Sequence, residues 1–175
     1  MRRYGPQWQL LGRALLALLG GLLLYLLTRD PPTVSLFRLL PLPTLPGEHL
    51  HCWLCGVLPS LLHVYAFILL SALVLQPQTR KQVFVLCLFW SGIETLFELG
   101  QIDTVAVLLQ HTFSPNIEHN ALLAVTQDYF LFGTFDPLDL LFVGLGALAA
   151  YRSLTRMATP EIQNDHAKDD NPISI

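Results

Sequence analysis

The sequence contains four long apolar segments, and each is close to the length needed to cross a bilayer. A helix that crosses the hydrocarbon core takes about 20 predominantly apolar residues. The segments run from about Trp8 to Thr28, from about Leu58 to Leu75, from Val83 to about Gln101 and from about Pro137 to Ser153. The sequence therefore predicts an all-α, polytopic membrane protein built as a bundle of four transmembrane helices.

The composition excludes a soluble domain. Hydrophobic residues make up 53% of the 175 residues and charged residues only 13%, whereas a soluble domain has about 25% charged residues. The formal net charge of -3 provides no basic footprint for nucleic acid. We therefore expect the lipid bilayer as the environment of the chain and no nucleic-acid partner.

Basic residues predict the orientation, because cytoplasmic loops carry an excess of Lys and Arg. With the N-terminus inside, only Arg29 and Arg38 lie outside. The other basic residues are then cytoplasmic: Arg2, Arg3, Arg13, Arg80, Lys81, Arg152, Arg156 and Lys168. This asymmetry predicts that both termini are cytoplasmic.

The first apolar segment has an alternative interpretation as a secretory signal peptide, with Arg2 and Arg3 as its basic region. A signal peptide has a short apolar region and a small-x-small cleavage site. Here the apolar stretch is long and no such site precedes Arg29. These features favour an uncleaved first span.

The connecting segments differ in character. The outer segment 29–57 is rich in proline, which excludes one long helix. In the outer segment 102–136, Asn120 is suited to cap an amphipathic helix through ALLAVTQDYFLF that lies on the outer leaflet. Residues 158–175 are polar, lack aromatic residues and are predicted to form a disordered cytoplasmic tail after a membrane domain at 1–157.

The third predicted span carries acidic residues in an apolar setting. Ionisable groups inside a bilayer are costly and usually face the bundle interior or water. Glu94 and Glu98 are four residues apart and share a helix face, which Gln101 extends. Two carboxylates one turn apart repel each other when both are ionised. We interpret this face as a proton-sharing or ligand-binding site.

Three further polar residues are expected at the same level of the bundle. His63 lies about one turn below the outer surface in the second span, and Asp136 and Asp139 open the fourth. Each also has a structural explanation. Asp136 before Pro137 is suited to cap a helix, and Asp139 lies within the same first turn. His63 is a candidate interhelical hydrogen-bonding residue, and Gln101 suits the membrane interface. The predicted polar intramembrane site contains His63, Glu94, Glu98, Gln101, Asp136 and Asp139.

Small residues in the first and fourth spans predict close helix packing. Glycine and alanine let helix backbones approach one another within a membrane. The residues concerned are Gly20, Gly21, Gly144, Gly146 and Ala150.

The segment HLHCWLC, just before the second span, combines His49, His51, Cys52 and Cys55. A CxxC with neighbouring histidines is compatible with thiol exchange or zinc binding, but the paired spacing of a zinc site is missing. No special role, a disulfide and a metal site all remain open for this segment. Cys87 is interpreted as a small buried residue. No cofactor motif is present, and we expect no cofactor.

The element IETLFELGQ, followed by FDPLDLLFVGLGALAAY, resembles the VanZ-like membrane proteins. That family typically shows a Glu…Gln element and then an Asp-x-x-Asp element that leads into a helix rich in Gly and Ala. Glu94 or Glu98 with Gln101 matches the first element, and Asp136 with Asp139 matches the second. The family often has a basic residue before its aspartates and an Asn after them, and this chain has neither.

The resemblance covers about residues 83–151 and implies a bacterial cytoplasmic membrane, which is the inner membrane in a Gram-negative host. The family's namesake is linked to resistance to the glycopeptide teicoplanin, without an established chemical mechanism. The resemblance therefore supplies no catalytic roles.

Three functions are compatible with these residues. The first is a membrane protein that binds a lipid, an envelope component or a membrane partner through the polar site. The second is an intramembrane enzyme that uses His63 and the glutamates as acid and base on a lipid-linked substrate. The third is a component of proton-coupled transport. Binding is favoured, since no nucleophile elbow, HExxH motif or phosphate-binding loop is present.

Overall fold

A computed structural model describes residues 7–28, 53–113, 130 and 133–157. All secondary structure in these ranges is helical. We number the helices as follows: α1 Gln7–Thr28, α2 Trp53–Leu75, α3 Arg80–Gly100, α4 Asp103–Phe113 and α5 Pro137–Met157.

Four of these helices, α1, α2, α3 and α5, are long and apolar enough to cross a membrane. The prediction of an all-α bundle with four spans is therefore confirmed. Three helices extend beyond the expected spans: α2 begins at Trp53, α3 begins at Arg80 and α5 ends at Met157. α4 has 11 residues, which is too short to span the hydrocarbon core. Its segment is amphipathic in sequence, but the sequence does not predict a separate helix there.

α2 is the central helix of the bundle. It packs against α1, α3 and α5, and α3 also packs against α5. α1 packs mainly on α2 and makes little direct contact with α3. The buried core includes Leu10, Val64, Ile68, Val143 and Leu154, which come from α1, α2 and α5.

A short turn joins α2 to α3. Gln76 takes a left-handed backbone conformation with φ of 47°, and its N–H donates to the Ala72 carbonyl at 2.9 Å. This closes α2 immediately before Pro77, which cannot continue a helix. Thr79 then caps α3 in a reciprocal capping box with Gln82. These two devices make α2 and α3 an antiparallel hairpin.

The glycine-mediated approach of two spans is observed between α2 and α5. A Cβ atom on Gly146 would lie 2.5 Å from the carbonyl oxygen of Leu61, so no larger residue fits without separating the helices. Gly144 is different, since a Cβ there would meet nothing within 4 Å. Gly146 is therefore a packing residue and Gly144 is not in tight contact.

Charged residues are sorted by sign along the bundle axis. One end, which we call the basic end, is where α1 and α3 begin and α2 and α5 end; the opposite end is the acidic end. The described basic residues lie in the basic half: Arg13, Arg80, Lys81, Arg152 and Arg156. The described acidic residues lie in the acidic half: Glu94, Glu98, Asp103, Asp136 and Asp139. Both sets follow from the helix order, so one end of the described bundle is positive and the other negative.

Some expectations lie outside the described residues. These are the outer amphipathic helix after Asn120, of which only Phe130 is described, and the tail at 158–175. The ring of Phe130 stacks on Phe97 of α3 with a centroid distance of 5.6 Å.

Candidate polar site at the acidic end

The buried face of α3 changes from apolar to polar along its length. In the basic half, Val83 and Cys87 are buried on this face. Glu94, Glu98 and Gln101 continue it at spacings of three, four and seven residues, which keep side chains on one side of a helix. Glu98 and Gln101 are buried, with exposures of 5% and 7%, and Glu94 is partly exposed. The acidic face is therefore buried in the bundle at Glu98 and Gln101 and partly open at Glu94.

α5 begins its own buried face with a carboxylate. Asp139 is 8% exposed, and the buried residues that follow it at helical spacing are all apolar. Ser60 of α2 donates its hydroxyl hydrogen bond to Asp139 Oδ1 at 2.9 Å. This bond joins the second and fourth spans at the acidic end, below the rim of the bundle.

Asp136 has a different role from Asp139. Its Oδ1 accepts a hydrogen bond from the Leu138 N–H at 2.9 Å, and its carbonyl accepts one from the Asp139 N–H at 3.0 Å. These contacts satisfy backbone donors of the first turn, as an N-cap does. Asp136 therefore caps α5 at the rim, and Asp139 is the acid that enters the bundle.

His63 lies one turn deeper than Ser60 along α2 and packs against the first span. A Cβ atom on Gly21 would lie 3.5 Å from His63 Nε2 and 3.6 Å from Leu62 Cβ. The imidazole therefore packs against α1 at Gly21, at a distance where a methyl group would make ordinary contact with it. Gly21, one of the two adjacent glycines predicted to pack, therefore lies directly beside a residue of the polar site, whereas Gly20 lies beside Leu62.

Two aromatic rings pack next to His63, on the side that faces the basic end of the bundle. The Phe67 ring, one turn further along α2, stacks on Trp90 of α3 with a centroid distance of 4.9 Å. Trp90 Nε1 donates a hydrogen bond to Ser71 Oγ at 2.8 Å. His63 and Phe67 are themselves neighbours, with ring centroids 6.2 Å apart.

The stacked rings give the register between α2 and α3. Because the two helices run in opposite directions, one turn from Phe67 toward the acidic end is His63, and one turn from Trp90 toward that end is Glu94. His63 and Glu94 therefore lie at the same level, on the sides of α2 and α3 that carry the stacked rings.

The least buried face of α2 lies between its contacts with α1 and α3, and we refer to this face as the groove along α2. This face carries His63, Phe67 and Leu70, which are partly exposed, and Val74, which is exposed, at spacings of four, three and four residues. α1 and α3 stand on either side and make little direct contact with each other. The groove is apolar from Val74 to Phe67 and ends at His63 and Glu94.

Carboxylate acceptors are the most numerous groups among the candidate polar residues, while the Gln101 amide and the His63 imidazole can both accept and donate. Three carboxylates, one amide and one imidazole come from three helices, and the polar atoms of Glu98, Gln101 and Asp139 are largely removed from solvent. Within the described residues, no group of three or more His, Cys, Asp or Glu side chains is placed to hold a metal ion. His49, His51 and Cys52 lie outside the described residues, and Cys55 lies in the first turn of α2.

Ser60 was not singled out from the sequence. A signal for it exists, since Ser60 is three residues before His63 and thus one turn away on a neighbouring face. Serine is common in apolar helices, however, and nothing in the sequence identifies Asp139 as its partner.

No family model, no curated protein and no solved structure matches this chain.

Proposed function

We propose that this protein binds a membrane lipid whose headgroup donates hydrogen bonds, with the headgroup at the polar site and an acyl chain in the groove along α2. The observation that carries the proposal is the continuity of the groove with the site. An apolar floor of Phe67 and Leu70 leads directly to His63 and Glu94. A lipid matches this order, because its acyl chain is apolar and its headgroup is polar.

The acceptor-rich site determines which headgroups are favoured. Carboxylates accept hydrogen bonds and form their strongest ones with charged or hydroxyl donors. A headgroup with an ammonium or several hydroxyl groups meets this requirement. A choline headgroup carries a positive charge but has no N–H or O–H to donate, so it serves as a matched negative comparison.

The groove along α2 is reached from the side, through the bilayer, and this favours a lipid over a water-soluble ligand. Helices in a membrane are surrounded by acyl chains, and a groove between two spans that make little mutual contact is open to them. Partly exposed Glu94 at the end of this groove is costly beside hydrocarbon unless a polar group covers it. A bound headgroup provides that cover.

We also propose that this chain is a VanZ-like protein of a bacterial inner membrane and that its basic end faces the cytoplasm. The Glu…Gln and Asp-x-x-Asp elements support the family, and the positive-inside rule supports the orientation. Reporter fusions after residue 175 test the second statement: a reporter active only in the cytoplasm is expected to be active. Activity of a reporter that works only outside the cytoplasm would reverse the orientation.

The binding proposal is tested by quenching of Trp90 fluorescence. The chain has three tryptophans, so a protein with Trp8→Phe and Trp53→Phe reports Trp90 alone. Nanodiscs of phosphatidylcholine receive a small fraction of a second lipid with brominated acyl chains. Three samples are compared, in which the brominated lipid is phosphatidylethanolamine, a glycosyl diacylglycerol or, as the reference, phosphatidylcholine. Quenching above that given by brominated phosphatidylcholine is expected for one or both donor lipids.

Two variants make the result specific. Glu94→Gln removes a charged acceptor at the end of the groove and is expected to lower the excess quenching. Asp103→Asn removes an acidic charge at the same end, on an exposed first-turn residue of α4, and is expected to leave it unchanged. Equal quenching by all three lipids, or an equal effect of the two variants, would contradict the proposal.

A further inference from the structure

The second candidate binding surface lies at the basic end, where the start of α3 packs beside the end of α5. We call this junction the seam. We propose that this seam binds an anionic phospholipid of the leaflet at the basic end, with the phosphate between Lys81 of α3 and Arg152 of α5. The site is independent of the polar site at the acidic end.

A ring contact defines the seam. Phe84 of α3 and Tyr151 of α5 meet edge to face, with ring centroids 6.5 Å apart. Lys81 lies three residues before Phe84, and Arg152 directly follows Tyr151. Both cations are therefore within about one helical turn of the two rings, toward the basic end, and both are exposed.

The exposed face of α5 combines an apolar strip with two cations. Leu141, Leu145 and Leu148 are exposed, and Arg152 and Arg156 continue the same line at spacings of four residues. These spacings keep all five side chains on one side of the helix. Toward the basic end, the strip therefore changes from leucines that suit an acyl chain to arginines that suit a phosphate.

α3 presents a similar strip on its side of the seam. Lys81 is followed on the exposed face by Val85 and Leu88, both more than half exposed at 55%. An acyl chain between Leu88 and Leu148 has apolar contacts on both helices, while its phosphate is placed at Lys81 and Arg152.

The local charge favours an anion. The described half of the bundle at this end contains five basic and no acidic residues, so like charges repel there until an anion neutralises them. The backbone N–H groups at the start of α3 are not the binding groups proposed, because Thr79 already accepts from Gln82 N. The side chains of Lys81 and Arg152 therefore provide the contacts, as in basic pockets between spans that bind anionic headgroups.

The test counts bound lipid by native mass spectrometry. The delipidated full-length protein is mixed with equal amounts of phosphatidylglycerol and phosphatidylcholine. Phosphatidylglycerol is expected to be retained preferentially. Lys81→Gln and Arg152→Gln are each expected to weaken its binding roughly fivefold, the equivalent of about 1 kcal/mol for each cation near an anionic surface.

Arg13→Gln is the matched control. It removes a cation from the same end, but Arg13 lies on α1, where its guanidinium approaches Met157 Sδ at 3.6 Å. Arg13→Gln is expected to leave phosphatidylglycerol binding unchanged. An equal loss in all three variants would show an effect of net charge alone and would overturn the site. An absence of lipid preference in the wild type would overturn it as well and would assign the patch to another anion, such as an acidic peptide segment.

Discussion

The hydroxyl of Ser60 donates a hydrogen bond of 2.9 Å to Asp139 Oδ1 and thereby links the second and fourth spans. The bond places the innermost acid of α5 next to the first turns of the central helix. It also separates the role of Asp139, which enters the bundle, from that of Asp136, which caps α5 at the rim.

Loss of this bond is expected to destabilise the bundle modestly. Interhelical hydrogen bonds in membrane proteins contribute about 0.6 kcal/mol on average and about 1.7 kcal/mol at most. Ser60→Ala is expected to lower the free energy of unfolding within that range, measured by denaturation in mixed micelles. A double-mutant cycle with Asp139→Asn isolates the coupling between the two residues. Strictly additive losses would show that the bond contributes nothing.

Gly146 is expected to be intolerant of the smallest side chain. A Cβ atom there would lie 2.5 Å from the Leu61 carbonyl oxygen, a backbone atom that moves only with its helix. Gly146→Ala is therefore expected to cost about 1–3 kcal/mol, as overpacking of a tight interface does. Gly144→Ala is the control on the same helix, where open space surrounds the new methyl group. A thermal unfolding midpoint that falls equally in both variants would refute the close approach.

Gly21 is expected to accept alanine but not leucine. A Cβ at this position would make ordinary contacts of 3.5 Å with His63 Nε2 and 3.6 Å with Leu62, while the further atoms of leucine would occupy the space of the imidazole. Gly21→Leu is expected to abolish the excess quenching of Trp90 by a donor lipid, because His63 is displaced. Gly12→Leu, on the same helix where a Cβ meets nothing within 4 Å, is expected to retain it. If Gly21→Leu also retained full quenching, His63 would have no part in headgroup binding.

Gly100 is expected to be required for the position of Phe130. A Cβ on Gly100 would lie 2.5 Å from Phe130 Cε1, so Gly100→Ala must displace the ring from its stack on Phe97. Loss of an aromatic pair costs about 0.5–1.5 kcal/mol. Gly92→Ala, also on α3 and without a neighbour within 4 Å, is expected to be neutral or slightly stabilising, since alanine favours helix. Equal unfolding midpoints for the two variants would argue against this ring contact.

Several features of the candidate site follow from spacing alone. Glu94, Glu98 and Gln101 share a helix face because an α-helix has 3.6 residues per turn, and Asp136 caps α5 because it directly precedes Pro137. The level of His63 relative to Glu94 follows from the short α2–α3 turn. The partnership of Ser60 with Asp139 does not follow from spacing, since it depends on which of several apolar helices lies beside α2.

The sequence by itself determined the four spans, the helical class and the sorting of charge to two ends, because span length and the alternation of direction leave little freedom. Only the tertiary structure decided which face of each span points inward, that α2 is central, and that a groove along it ends at His63 and Glu94. The physical reason is that acyl chains are as apolar as the core of the bundle. Lipid-facing and buried positions of these helices therefore carry the same residue types, and only packing distinguishes them.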